Sequence, residues 1–89
     1  MAERFDVKVK VISKKGDCNK HNVGDEYLVG RTTPAGMCPS AFNSLFPDAR
    51  VLMFGGTLPW ARDPDTATVA CPDAERPVVF ELRRVPMAK

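Results

Sequence analysis

The sequence predicts an α+β domain: a small antiparallel sheet of about four strands, with a broken helical segment inserted between strands two and three. Three observations lead to this prediction. Apolar residues alternate with charged ones over residues 5–11, proline follows cysteine at a helix-start position at residue 39, and an apolar segment covers residues 78–85. A length of 89 residues corresponds to one domain, residues 1–89.

The strands are predicted from their periodicity and from the turns that bound them. Residues 5–11 have a period of two, which indicates a half-buried strand. Residues 26–29 form a second short strand that ends at Gly30, and residues 67–71 form a weaker third strand. The last strand covers residues 78–85 and pairs with the third through a six-residue turn at 72–77.

The helical segment is predicted to begin at Pro39, because proline suits the first helical position, with Cys38 as the N-cap. Pro47 lacks the N–H that a helix interior needs, so we expect a break there and a second helix over residues 47–54. Val51, Leu52 and Phe54 would form its buried face. The glycines at 55 and 56 would end it.

Composition excludes several classes of function. The net charge is only +2, and no aromatic residues interleave with the N-terminal lysines, so nucleic-acid binding is not expected. No apolar segment is long enough to span a bilayer, and charges occupy the position of a signal peptide's apolar region. We therefore expect a cytoplasmic protein, in which an odd count of three cysteines stays reduced.

The cysteines and the single histidine are the first candidates for a chemical site. Cys18, His21, Cys38 and Cys71 together supply three thiolates and one imidazole, the ligand count of a structural zinc site, and iron is the alternative metal. The spacing is not that of a zinc motif, since only Cys18 and His21 are close in sequence. Metal binding is nevertheless the leading prediction, because a thin core gains stability from a metal.

A cysteine-dependent enzyme acting on a small electrophile is the second hypothesis. As an N-cap, Cys38 would face the positive end of the helix dipole, which favours the thiolate. His21 would act as a base and Asp73 would supply a carboxylate near Cys71. The alternatives are structural: free cysteine often packs as a small apolar residue, and an aspartate after proline often stabilises a turn.

A binding or assembly module with inert cysteines is the third hypothesis. Trp60 and Met37 would form the wall of a pocket for a small-molecule ligand, or Trp60 would only cover the open end of a small core. A homo-oligomer is the expected form if a partner covers an apolar strand face.

Three segments also carry a family resemblance. Residues 33–42 contain Gly-Met-Cys-Pro, and residues 54–60 contain Phe-Gly-Gly and Pro-Trp. Residues 69–82 contain Cys-Pro-Asp and Pro-Val-Val-Phe. Together with Cys18 and residues 23–26 they resemble a family of uncharacterised small bacterial and archaeal proteins, over nearly the whole chain. The resemblance implies cysteine at positions 18, 38 and 71 and a variable residue at 21. That pattern favours a three-thiol site whose fourth position is open to a substrate.

Overall fold

The structure is a computed structural model that describes residues 4–16 and 21–86. Its elements follow the order β1 (Phe5–Lys14), β2 (Glu26–Val29), α1 (Pro39–Met53), β3 (Thr66–Ala70) and β4 (Val78–Pro86). The strands form one antiparallel sheet in the order β2-β1-β4-β3. The predicted α+β class and the place of the helix between the second and third strands are confirmed.

Strand β1 lies in the interior of the sheet and shows the predicted alternation. Val7, Val9 and Val11 are fully buried, whereas Lys8 and Lys10 are exposed. The two sets point to opposite faces because successive side chains of a strand alternate, and α1 packs on only one face of this sheet. The other face is therefore left to solvent and to charged side chains.

The core lies between this inner sheet face and α1. Phe80 and Leu82 of β4 are fully buried and pack in one cluster with Leu45 and Leu52 of the helix. Burying a side chain of this size stabilises the fold by roughly 1.5–3 kcal/mol. The core thus spans the centre of the sheet, and the chemistry-bearing residues lie around its margin.

The predicted break at Pro47 is not confirmed, because α1 runs without interruption from Pro39 to Met53. Pro47 cannot donate a hydrogen bond to the carbonyl of Asn43, yet both residues are exposed, so water can hydrate that carbonyl. Leu45 and Ala49 lie on either side of Pro47 and are both fully buried. Packing on one stripe therefore holds the helix together across the proline.

The helix ends at the two predicted glycines. Gly55 has φ of 83°, its N–H donates to the carbonyl of Leu52 at 3.2 Å, and the N–H of Gly56 donates to that of Val51 at 2.9 Å. This pair of bonds is a Schellman motif, which suits glycine because it needs positive φ. The predicted burial of Phe54 is wrong: its ring is 42% exposed, and Met53 is buried instead.

No helix in the described part of the chain is long and apolar enough to cross a membrane.

Candidate functional site

His21 is held at the margin of the core with both ring nitrogens engaged. It is 1% exposed, its Nδ1 lies 2.8 Å from the Tyr27 hydroxyl, and its Nε2 accepts the backbone N–H of Cys38 at 3.2 Å. An Nε2 that accepts carries no proton, so in the neutral ring Nδ1 donates to the Tyr27 oxygen. Burial, with a smaller contribution from Asp25, raises the pKa of Tyr27, which keeps its hydroxyl protonated.

The aromatic surroundings of His21 complete this arrangement. Its ring meets the rings of Tyr27 and Phe80 edge-on, with centroids 5.5 Å and 5.4 Å apart. Edge-to-face packing at these distances is favourable. His21 thus connects the segment before β2 to strand β4 and to the start of α1. If Nε2 bound a metal ion, the hydrogen bond from the Cys38 N–H would be lost.

Cys38 is the N-cap of α1, as predicted. Its carbonyl accepts the N–H of Phe42 at 3.0 Å, and its backbone has φ of −58° and ψ of 131°. The thiol makes no capping hydrogen bond to the first turn and is half-buried against the core. The backbone of Cys38 therefore connects the helix start to His21.

Cys71 has a structural role at the end of the β3–β4 pair. Its N–H donates to the carbonyl of Val78 at 2.9 Å, and its Sγ accepts the N–H of Val78 at 3.2 Å. The sulfur thus stands where a backbone carbonyl would complete the antiparallel pair. Like Cys38, the residue is half-buried against the core.

Asp73 stabilises the turn between β3 and β4. Its Oδ1 accepts the N–H groups of Glu75 and Arg76 at 3.0 Å and 3.1 Å. The bond from Arg76, then that from Glu75, lowers the pKa of the exposed Asp73 carboxyl. A lowered pKa makes a carboxylate a weaker base, so this geometry favours the turn role over proton abstraction.

Cys18 lies outside the described residues. Within residues 4–16 and 21–86, no three His, Cys, Asp or Glu side chains form a group that would hold a metal ion. The predicted site of Cys18, His21, Cys38 and Cys71 therefore stays a prediction.

Trp60 and Met37 are the two residues predicted to form one pocket wall. Trp60 is 72% exposed and borders a surface groove of about 420 Å³ together with Arg62 and Thr66, and Met37 is not part of that lining. Met37 instead packs, partly buried, against the core. The shared pocket wall therefore stays a prediction.

The arginine pocket is a site that sequence reasoning missed. It is a cavity of about 200 Å³ between the loop after β2 and one stripe of α1. Three guanidinium groups line it together with two threonines, over an apolar floor that includes two phenylalanines: Arg4, Arg31, Arg50, Thr32, Thr33, Phe42 and Phe46. Residues 42, 46 and 50 recur at helical spacing, and that stripe was the available signal.

Aromatic rings hold two of these arginines in place. The Arg50 guanidinium lies 5.7 Å from the ring centroid of Phe46 and 4.9 Å from that of Phe54, and Arg4 lies 5.3 Å from Phe54. The ring of Phe42 stacks at a tilt on Phe46, with centroids 5.0 Å apart. Such cation–π contacts orient a guanidinium and leave the edge of its donor fork accessible.

Charge is unbalanced at the arginine pocket. Arg76, Arg83 and Arg84 each form an ion pair, whereas no described carboxylate lies within ion-pair distance of Arg4, Arg31 or Arg50.

One buried carboxylate lies beside the pocket wall. Asp6 is 6% exposed, and its Oδ1 would be 2.9 Å from a Cβ on Gly30, a lining residue. Any residue other than glycine at position 30 would displace the Asp6 carboxylate or the loop backbone. Among the described residues, three guanidinium groups line the pocket and one carboxylate lies beside its wall.

Comparison with protein-family models, curated proteins and solved structures gives no match to this chain. The family resemblance described from the motifs stays an expectation.

Proposed function

We propose that the chain is a binding module for a small anion, held in the arginine pocket. The observation that carries the proposal is the convergence of Arg4, Arg31 and Arg50 on one cavity, with no described carboxylate in ion-pair distance of any of them. This corresponds to the binding-module hypothesis and differs from the leading metal hypothesis in the residues it uses.

The donor set suits a phosphate or a carboxylate. A guanidinium presents its N–H groups in a planar fork that matches two oxygens of such an anion, and charge-assisted bonds of this kind are about twice as strong as neutral ones. The hydroxyls of Thr32 and Thr33 add two further donors. The apolar floor of Phe42 and Phe46 reduces solvent screening of these charges.

The size of the pocket limits what enters it. About 200 Å³ is below the roughly 300–1,000 Å³ of cavities that enclose a whole drug-sized ligand. The arginine pocket therefore accommodates one anionic group.

The test is isothermal titration with inorganic phosphate and with acetate, at low salt and at about 150 mM salt. The comparison of the two probes separates phosphate from carboxylate preference. Arg31→Gln removes a donor without removing a stacked ring partner, and we expect affinity to fall about tenfold, the equivalent of one charge-assisted bond. Arg62→Gln is the matched control, because Arg62 borders the Trp60 groove. Absence of binding by both anions, or equal loss in both variants, contradicts the proposal.

A thiol-bound zinc or iron ion is the second candidate function. It is favoured by one observation: Cys38 and Cys71 are both half-buried against the same core cluster. The described residues that flank Cys18 also approach this region, since His21 contacts Cys38 and a Cβ on Gly16 would lie 2.9 Å from Arg76 Cγ. In this arrangement three thiolates bind the metal and His21 positions Cys38.

Elemental analysis of protein purified without a histidine tag and without chelators tests this second candidate. About one zinc or iron per chain, lost in Cys38→Ser and Cys71→Ser but retained in His21→Gln, supports a three-thiol site. Metal content at background in the wild type removes the candidate. Cysteine-dependent catalysis through Cys38 and a homo-oligomeric state remain predictions without a described contact in their favour.

A further inference from the structure

A second, larger groove lies at the end of the sheet beside the helix C-terminus. Its volume is about 710 Å³, which is in the range of cavities that take drug-sized ligands. We call it the terminal groove and define it by Phe5, Phe54, Thr57, Pro64, Arg84 and Pro86 of its lining. None of these residues lines the arginine pocket itself.

The two cavities meet at the ring of Phe54. Phe54 lines the terminal groove, and its ring is also the stacking partner of Arg4 and Arg50, which line the arginine pocket. Phe54 is 42% exposed even with two guanidinium groups stacked on its ring. A ligand that lies across Phe54 would therefore contact both.

The terminal groove has little unbalanced charge. Among the described residues of its lining, the one cation and the one carboxylate form a pair, with Arg84 Nε 2.9 Å from Asp65 Oδ1. Two further N–H groups of Arg84, on Nη1 and Nη2, bind the carbonyls of Leu52 and Pro64 at 3.4 Å and 2.5 Å. The described lining therefore combines the rings of Phe5 and Phe54 and the carbons of Pro64 and Pro86 with polar groups whose charges are paired.

We propose that the ligand is an organic anion with a compact aromatic or apolar body. Its phosphate or carboxylate group binds in the arginine pocket, and its body lies on Phe54 and fills the terminal groove toward Phe5 and Pro86. This inference rests on the proposed anion-binding function and adds the class of ligand. Charge complementarity supports the arrangement, because the anionic end meets the three arginines and the apolar end meets a groove whose described lining residues carry no net charge.

The test compares phenyl phosphate with inorganic phosphate by isothermal titration. We expect phenyl phosphate to bind at least about tenfold more tightly, since a gain of that size requires only about 60 Å² of apolar burial. Thr57→Trp fills the terminal groove without changing charge, so it should remove this gain and leave the affinity for inorganic phosphate unchanged. Thr68→Trp, at an exposed position on β3, is the matched control and should retain the gain.

The outcomes separate the two proposals. Binding of inorganic phosphate with equal affinity for phenyl phosphate overturns the terminal groove as a ligand site and leaves the proposed anion binding intact. A gain that Thr57→Trp does not reduce also overturns it. Failure of both probes to bind contradicts the anion-binding function itself.

Discussion

The Nε2 atom of His21 accepts the backbone N–H of Cys38 at 3.2 Å, across 17 positions of sequence. This bond satisfies one of the N–H groups at the start of α1 that have no partner within the helix. The opposite ring nitrogen is held by Tyr27 at 2.8 Å. The buried imidazole thus binds the N–H of the N-cap residue, a different group from the N–H groups of the first turn to which the Cys38 thiol makes no capping bond.

We expect His21→Phe to lower the free energy of unfolding by roughly 2–4 kcal/mol, because it leaves the Cys38 N–H and the Tyr27 hydroxyl without this partner in a buried setting. Urea unfolding followed by circular dichroism gives the value. Tyr27→Phe on its own and in combination with His21→Phe measures the coupling between the two side chains. A loss below about 0.5 kcal/mol in His21→Phe would show that the imidazole does not hold the helix start.

Cys71→Ala should destabilise the β3–β4 pair more than Cys71→Ser does. Alanine removes the acceptor of the Val78 N–H, whereas the serine hydroxyl can still accept it. The expected cost of Cys71→Ala is about 1–3 kcal/mol, the range for a donor left unsatisfied in a buried position. Hydrogen exchange of the Val78 amide is the specific measurement. Equal protection of that amide in the wild type and both variants contradicts the assigned role of the sulfur.

Pro47→Ala should stabilise the protein by about 1–3 kcal/mol. Alanine restores the N–H that can bind the Asn43 carbonyl, and its helix propensity is higher than that of proline by about 3 kcal/mol. The gain is expected to be smaller than this full difference, because α1 is already continuous through Pro47. The residue is exposed, so the change leaves the core unaltered. Urea unfolding checks the expectation, with Pro39→Ala as the matched control at the first helical position. An unchanged or lower stability means that the helix gains nothing from a donor at position 47.

The Asp73 carboxylate should make stability depend on pH in the acid range. Its pKa in the folded protein is lowered by the N–H groups of Arg76 and Glu75, so the carboxylate binds a proton less readily in the folded than in the unfolded chain. The resulting stabilisation is fully present above the unfolded pKa of about 3.9 and is lost as the pH falls through the folded pKa. Asp73→Asn removes this dependence.

Unfolding in urea at neutral pH and at stepwise lower pH tests this prediction. The stability difference between wild type and Asp73→Asn should be constant above about pH 5 and shrink as the pH falls below about 4. Asp63→Asn serves as a comparison, since backbone and arginine bonds also lower the pKa of Asp63. A difference that stays constant down to the acid limit contradicts the turn role of the ionised carboxylate.

The local elements of the fold were predictable because short-range rules determine them. Strand β2 occupies the predicted residues 26–29, and the helix begins at Pro39 and ends at Met53, just before the predicted capping glycine Gly55. In each case the signal lies within a few residues of the element, such as proline at a first helical turn or glycine at positive φ. The predicted α+β class follows from adding these signals together.

Pro47 and Phe54 show where local rules failed. The first was predicted to break the helix and the second to be buried, and the structure has a continuous helix and a 42% exposed ring. Packing of Leu45 and Ala49 against the sheet outweighs the lost hydrogen bond at Pro47. The ring of Phe54 has a different role, as the stacking partner of Arg4 and Arg50.

Periodicity, composition and turn chemistry were enough to predict the strands, the helix ends and the classes of function to be considered. Tertiary structure alone decided which residues meet. Arg4, Arg31 and Arg50 come from three separate segments, and only the packing of α1 on the sheet, with the loop after β2 beside it, brings them to one cavity. Likewise, the hydrogen-bond partners of the two ring nitrogens of His21 could not be predicted, because no periodic pattern in the sequence marks a hydrogen bond between distant residues.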